Sequence, residues 1–236
     1  MEKRPLLLLW IAGLLLMGGV SSASIMADGT AEIGTQTKYV ALTFDDGPRQ
    51  GTTDVLLDGL QQRGAAATFF PVGEQAAFYP DLVQRMQAEG HQVGNHTWSH
   101  ARLEKASKET IETEIGRTEA LLTQLLGGSG YWLRPPYGQV RAGAEGEIPV
   151  PMVKWSVDPR DWESRDAAKV TQAVLEAVRP NSIILLHDIY PSSVEAALRI
   201  VDALQKEGYW FVTVEELLRL NGVTPRAGVL YRSGTG

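Results

Sequence analysis

With 236 residues and 44% hydrophobic content, the chain has enough apolar material for one domain with its own core, which excludes a disordered polymer. A net charge of −6 argues against nucleic acid as a partner. The absence of cysteine excludes a disulfide framework and a thiolate-ligated zinc site.

The N-terminus carries Lys3 and Arg4, the apolar run Leu6 to Val20, and then Ser21-Ser22-Ala23. This is the layout of a secretory leader cleaved after Ala23. The alternative is an uncleaved membrane anchor, since no charge occurs from Pro5 to Ala27, although Gly13, Gly18 and Gly19 weaken it. Either reading implies a secreted or cell-surface protein whose only membrane attachment would be that anchor. Cleavage would remove Lys3, Arg4 and Glu2 and take the net charge from −6 to −7. Residues 24–37 then read as a linker, 38–220 as a single domain, and 221–236 as a tail laid on the surface.

Within the domain, short apolar runs alternate with amphipathic stretches. Tyr39 to Phe44 reads as a buried strand ended by Gly47-Pro48. Thr52 to Gln62 predicts a helix, Ala66 to Phe70 a second strand, and Pro80-Asp81 opens a helix that Gly90 closes. A third strand is expected near Gln92-Val93. A long helix follows from Lys108 to Leu126, with Ile111, Ile115, Leu122 and Leu125 on one face and Gly127-Gly128 as its stop. Trp132-Leu133, Met152 to Val157 and Ile183 to Leu186 predict further strands. Ser192 and Glu195 read as a capping box for a helix with Val194, Ala197, Leu198, Val201 and Leu204 on its apolar face, and Tyr209 to Val214 as the last strand. The fold class is therefore α/β, a distorted or incomplete (β/α) barrel of about seven strands whose active face collects the strand carboxyl ends.

Polar residues cluster at those ends. Asp45 and Asp46 follow the first strand, and "NHTWSH" (Asn95 to His100) the third. "RPPYG" (Arg134 to Gly138), "DPRDW" (Asp158 to Trp162) and "HD" (His187-Asp188) follow the next three. Three of the four histidines, His96, His100 and His187, fall there, while His91 starts a strand and reads as structural. His96 and His100 are four apart, so in a helical turn both rings would share a face and grip one cation. Asp46 completes a His/His/Asp set with one position left open, the catalytic pattern for a divalent metal. A dication also explains why two aspartates tolerate each other at one strand end.

"TFDDGP", "HTWSH", "RPPYG", "DPRDW" and "LLHD", in that order from Thr43 to Asp188, resemble the five motifs of the polysaccharide deacetylases, the family 4 carbohydrate esterases related to the nodulation-factor deacetylase domain. The resemblance continues through "YWFVTVEEL" to about Leu217 and makes residues 38–220 the catalytic domain. It implies a distorted (β/α) barrel, a divalent metal, zinc before cobalt, and removal of acetyl groups from peptidoglycan, chitin oligomers or xylan. It assigns the metal to Asp46, His96 and His100, the base to Asp45 and its holder to Arg134. It also assigns an oxyanion-binding backbone N–H to Tyr137, the acid to His187 with Asp161 as its partner, and the acetyl pocket to Trp162 and Leu185.

Tyr137 and Trp98 are expected to offer ring faces to sugars. Asp158 reads as a turn residue before Pro159, Trp132 and Trp155 as core, and Asp188 as without a catalytic role. The segment from Gln139 to Lys154 lacks an apolar period where the family often has a helix, so the barrel is expected to be short of one there. A wall-binding module without catalysis and an acetylxylan esterase are the competing functional readings. The presence of both Asp45 and His187 speaks against the first.

Overall fold

The computed structural model describes residues 37–236, so the expected leader or anchor lies outside the described residues, as does nearly all of the linker. Strand β1 (Lys38–Asp45) is central and buried over its last six residues. That double-faced burial is why it reads as a continuous apolar run. It pairs in parallel with β5 (Ile183–His187) along one edge and, along the other, with β6 (Tyr209–Phe211) at its start and β2 (Thr68–Phe70) at its end. Strand β3 (Gln92–Val93) lies outside β2. A second parallel pair joins β4 (Met152–Val153) to β7 (Leu230–Tyr231).

Single bridges at Asn95–Leu133, Leu133–Met152 and Val157–Ile184 stand where a regular barrel would have ladders. The barrel is therefore distorted and not closed by continuous pairing. Trp132-Leu133 and the second half of Met152 to Val157, expected as strands, reduce to these bridges. The segment after Leu220 differs from a surface tail, since β7 pairs with β4 and buries Tyr231.

Helix α1 (Thr53–Gln62) buries Leu56, Leu57 and Leu60, and α3 (Pro80–Ala88) starts on proline, whose fixed φ suits a first turn. Between them, α2 (Gly73–Phe78) has no clear apolar period and was not expected. Helix α4 (Lys108–Leu126) is capped by the Ser107 side chain, which accepts from Thr110 N–H, and stops at Gly127 with φ 74°. It buries Ile111, Ile115 and Leu122 as expected, with Leu125 packed at the edge of the core.

Between Gln139 and Pro151 there is no α-helix, only a 3₁₀ turn over Glu145–Glu147, matching the expected gap. Helices α5 (Asp161–Ser164) and α6 (Ala167–Ala177) follow, α6 capped by Asp166, which accepts from Ala168 and Lys169 N–H. Helix α7 (Pro191–Lys206) begins on Pro191 without a side-chain cap, so Ser192 lies inside the helix and the expected box with Glu195 does not form. The capping box is instead Thr213 with Glu216, opening α8 (Val214–Leu220) and cutting the last predicted strand at Phe211. Phe44 and Phe69 stack at 5.2 Å between ring centres in the main core, beneath the carboxyl ends of β1 and β2.

Candidate active site

Strand β1 delivers Asp45 as its last residue, and Asp46 follows with φ 74°, a left-handed conformation that breaks strand alternation and separates the two carboxylates. His96 and His100 do not lie on a helical turn. They sit in a loop in which Thr97 (φ 65°) and His100 (φ 58°) are left-handed, so backbone turns bring the rings together. Such conformations persist only where the surroundings enforce them. Here Asn95 Oδ1 accepts Thr97 N–H at 2.9 Å, and Glu114 on α4 accepts Trp98 and Ser99 N–H at 3.0 and 2.8 Å. Sequence reasoning missed both residues, because nothing in the motif marks the partners of its backbone.

Asp46 Oδ1 lies 3.6 Å from His96 Nε2 and 3.4 Å from His100 Nε2, too far to hydrogen bond and too close to ignore. It is buried with no hydrogen-bond partner. His96 Nδ1 lies 2.6 Å from Arg134 O, so that nitrogen carries the proton and donates it, leaving Nε2 with a free lone pair. Donor atoms of a tetrahedral zinc site, each about 2.1 Å from the ion, are roughly 3.4 Å apart. The three side chains therefore fit a divalent cation.

Asp45 and Arg134 form a fully buried ion pair, Nη1 to Oδ1 2.8 Å. Burial alone would raise the Asp45 pKa, yet Arg134, His96 and His187 together hold it below the usual carboxylate value. Arg134 Nη1 also donates to Thr43 Oγ1 at 2.7 Å and Nη2 to Lys154 O at 2.9 Å, with Phe70 beneath its plane at 4.2 Å. The Asp45 carboxylate is thus kept ionised and fixed in direction.

At the end of β5, His187 Nδ1 donates to Asp161 Oδ1 at 2.8 Å, and its backbone N–H donates to Asp161 Oδ2 at 2.8 Å. Burial would lower the imidazole pKa, but the Asp161 hydrogen bond and charge raise it to about 9. His187 is therefore protonated at neutral pH, with Nε2 free to donate. Tyr137 has φ 58°, and its ring meets His100 edge-on at 4.9 Å. The resemblance assigns its backbone N–H to the oxyanion.

A cleft of about 480 Å³ gathers Asp45, Asp46, His96, His100, Tyr137, Trp162, Leu185 and His187. Arg134 and Asp161 stand behind Asp45 and His187. Trp98 is placed elsewhere: it borders a separate hollow with Phe78, under the Arg117 guanidinium at 3.8 Å. Trp155, expected in the core, lines the cleft while its ring packs on the core cluster of β7 and α8. Asp158 also lines it, with Oδ1 accepting Arg160 N–H at 2.9 Å as the turn reading required. Arg102 and Tyr190 are lining residues that sequence reasoning did not single out. His91 is structural as expected, Nδ1 accepting Ala67 N–H at 3.1 Å, with burial lowering its pKa to about 4.

A family profile described as "Polysaccharide deacetylase" matches residues 32–146. The chain is 39% identical over 180 residues to a peptidoglycan-N-acetylglucosamine deacetylase of Listeria monocytogenes, an alignment covering 76% of this chain and 39% of that protein. It thus spans about two fifths of that relative's length. It is 36% identical over 191 residues to a chitooligosaccharide deacetylase of Bradyrhizobium, covering 73% of this chain and 87% of that one. Among solved structures, a family 4 acetyl xylan esterase from Clostridium thermocellum in complex with a cobalt ion matches with TM-score 0.78 and 34% identity, covering 83% of this chain and 98% of the other. Five motifs in order, a distorted barrel and these matches together show that the chain belongs to the polysaccharide deacetylase family, the family 4 carbohydrate esterases.

Proposed function

We propose that this chain is a hydrolase that removes acetyl groups from N-acetylated sugars of a polysaccharide, with peptidoglycan first among its substrates and chitin oligomers second. The observation that carries the reading is the pairing of an ionised base, Asp45, with a protonated acid, His187, at the ends of adjacent strands beside three metal ligands. Asp46, His96 and His100 would hold the cation, zinc before cobalt. Its chemistry there would be that of a Lewis acid, polarising the acetyl carbonyl and easing ionisation of water.

The residues divide the remaining work. Asp45 takes a proton from the attacking water, and Arg134 keeps it oriented for that task. The Tyr137 backbone N–H donates to the carbonyl oxygen as negative charge develops there. His187 gives its Nε2 proton to the sugar nitrogen as the C–N bond breaks, since an amide nitrogen is a poor anionic leaving group. Asp161 steadies the imidazolium before the transfer. Water and amide become acetate and a free amine. The leader pattern at Lys3 to Ala23 supports an extracytoplasmic place of action, secreted or anchored at the surface.

The test is acetate release from intact peptidoglycan, chitin oligomers and acetylated xylan, after chelation and with zinc or cobalt restored. Acetate from N-acetylated substrates only when metal is present is the expected result. Release from xylan alone would favour the esterase reading, which the structural likeness to the acetyl xylan esterase supports. No release from any substrate would overturn both.

A further inference from the structure

Three aromatic side chains that line the cleft each lie against an arginine. The guanidinium of Arg102 is 4.0 Å from the Tyr137 ring centre, that of Arg165 is 4.2 Å from Tyr190, and that of Arg160 is 5.5 Å from Trp162. Arg102 lines the cleft itself, while Arg160 and Arg165 flank it against the Trp162 and Tyr190 rings, and this basic grouping runs against the chain's net charge of −6. Two of them bracket α5, and both are left-handed, Arg160 at φ 53° and Arg165 at φ 49°. Backbone strain of this kind in non-glycine residues collects where a side chain must be aimed.

A cation–π contact anchors each guanidinium beside its ring and leaves N–H groups free to donate. Their present partners leave most donors unspent. Arg102 Nη1 donates to Glu104 Oε1 at 3.0 Å, Arg160 Nε to Glu163 Oε2 at 2.8 Å, and Arg165 Nε to the Trp162 carbonyl at 3.1 Å. Arg102 itself lines the cleft, with its side chain about half exposed beside the ring of the oxyanion residue Tyr137. The acidic residues of the cleft do not compete: Asp45 is held by Arg134, Asp46 faces the histidines, and Asp158 accepts a backbone N–H.

We propose that Arg102, with Arg165 and Arg160 at the mouth, is a specificity-determining element that reads a carboxylate on the glycan, so that N-acetylated chains bearing carboxylates, of the muramyl type, are preferred over neutral ones. A stacked, planar guanidinium matches a carboxylate in two-point geometry, and an edge of the cleft rich in such groups also raises the local concentration of an anionic polymer. Neutral sugars gain from neither effect. The inference rests on the deacetylase reading and narrows its substrate.

The experiment compares three soluble substrates of equal length: glucosaminyl-muramyl oligosaccharides with free lactyl carboxylates, the same oligosaccharides after those carboxylates are amidated, and chitin oligomers. KM and kcat for acetate release are measured at low and high ionic strength for the wild-type protein, Arg102→Gln, Arg102→Lys and Arg165→Gln. A partly exposed ion pair is worth up to about 1 kcal/mol, or roughly a fivefold preference. The expected result is a KM roughly fivefold lower for the free carboxylate than for its amide at low salt. Arg102→Gln and high salt should erase that ratio, Arg102→Lys should keep part of it, and Arg165→Gln should lower it. An arm with peptide stems attached tells a lactyl from a peptide carboxylate. Equal KM for the acid and its amide, or a ratio that survives Arg102→Gln, overturns the inference while leaving the deacetylase reading in place. Acetate from none of the substrates overturns the deacetylase reading and this one with it.

Discussion

Asp45 and His187 are direct register partners across the parallel pair of β1 and β5, so the proposed proton acceptor and the proposed proton donor end neighbouring strands at the same level. Parallel pairing lines up carboxyl ends, and register partners project to the same face of the sheet, so both side chains enter one cleft. Their electrostatics diverge as a consequence of their second partners. Arg134 keeps Asp45 ionised, whereas Asp161 keeps His187 protonated. A base and an acid of opposite readiness are thereby held at neutral pH.

Asp45 and Asp46 have different geometries, so their substitutions should diverge. Asp46→Asn swaps an anionic ligand for a neutral one, and excess zinc should recover part of the lost rate. Asp45→Asn leaves the His96, His100 and Asp46 donors in place but removes the proton acceptor, and activity should fall about 10²–10⁴-fold at any zinc concentration. Zinc stoichiometry and acetate release across a zinc titration check both. Rescue of the Asp45 variant and not of the Asp46 variant would reverse the assignments.

The His187 proton should shape the alkaline side of the pH profile. Its folded pKa is raised to about 9 from 6.5, chiefly because Asp161 outweighs the opposing effect of burial. The stability it contributes is fully present below 6.5 and is lost as pH rises through about 9. A bound cation nearby pulls that upper value down, so the activity limb should fall somewhat below it. Asp161→Asn removes the charge while keeping the shape, and burial then dominates. The alkaline limb of kcat/KM should move to lower pH by a unit or more, and an unmoved limb would refute the role of Asp161.

Arg134 is the buried group whose loss should cost most. Its guanidinium serves Asp45, Thr43 and the Lys154 carbonyl with no exposure to solvent. Burial lowers its pKa, and Asp45 opposes that. Arg134→Gln strands the Asp45 charge in the interior, a loss of about 3–5 kcal/mol for breaking such a pair. Arg134→Gln with Asp45→Asn should regain part of it, because no charge is left unpaired. Urea unfolding of the two single variants and the double variant closes the cycle, and strictly additive losses would mean the pair is not coupled.

Legibility tracked how locally each feature is determined. Strand β1 and helices α1 and α4 announce themselves through buried residues of their own and, for α4, through the flanking Ser107 cap and Gly127 stop. Trp132-Leu133 carries the same apolar signal, yet forms only bridges, because its neighbours in this distorted barrel present single residues and not edges. Strand β7 was hidden for the converse reason, since its two residues pair only with β4, whose partners lie 78 positions away in the chain. At the site, the residue types named the chemistry, but the loop that joins His96 to His100 depends on Asn95 and on Glu114 in another element. Arg102 belonged to no motif, and only the fold stacks it on Tyr137.

Asp188 supplies the last prediction, because the reaction gives it no role and its position gives it a cost. Its carboxyl is buried against Gly47, where an added Cβ would lie 2.3 Å from both oxygens. Thr53 Oγ1 donates to Oδ2, but Oδ1 is buried without a partner. Burial raises the pKa from 3.8 to about 7, with the hydrogen bond from Thr53 opposing and the charge of Asp46 adding to it. A carboxyl whose pKa is higher folded than unfolded stabilises fully below pH 3.8, and that contribution drains away as pH rises through about 7. The penalty at alkaline pH is on the order of a few kcal/mol, since each pKa unit is worth about 1.4 kcal/mol. Asp188→Asn cannot ionise, so it escapes the penalty. In chelator-treated protein, where no cation screens Asp46, Tm of the variant should match or fall below wild type near pH 5 and exceed it by several degrees near pH 8.5. A wild-type Tm that stays level across that interval, parallel to the variant, would show that Asp188 does not titrate there.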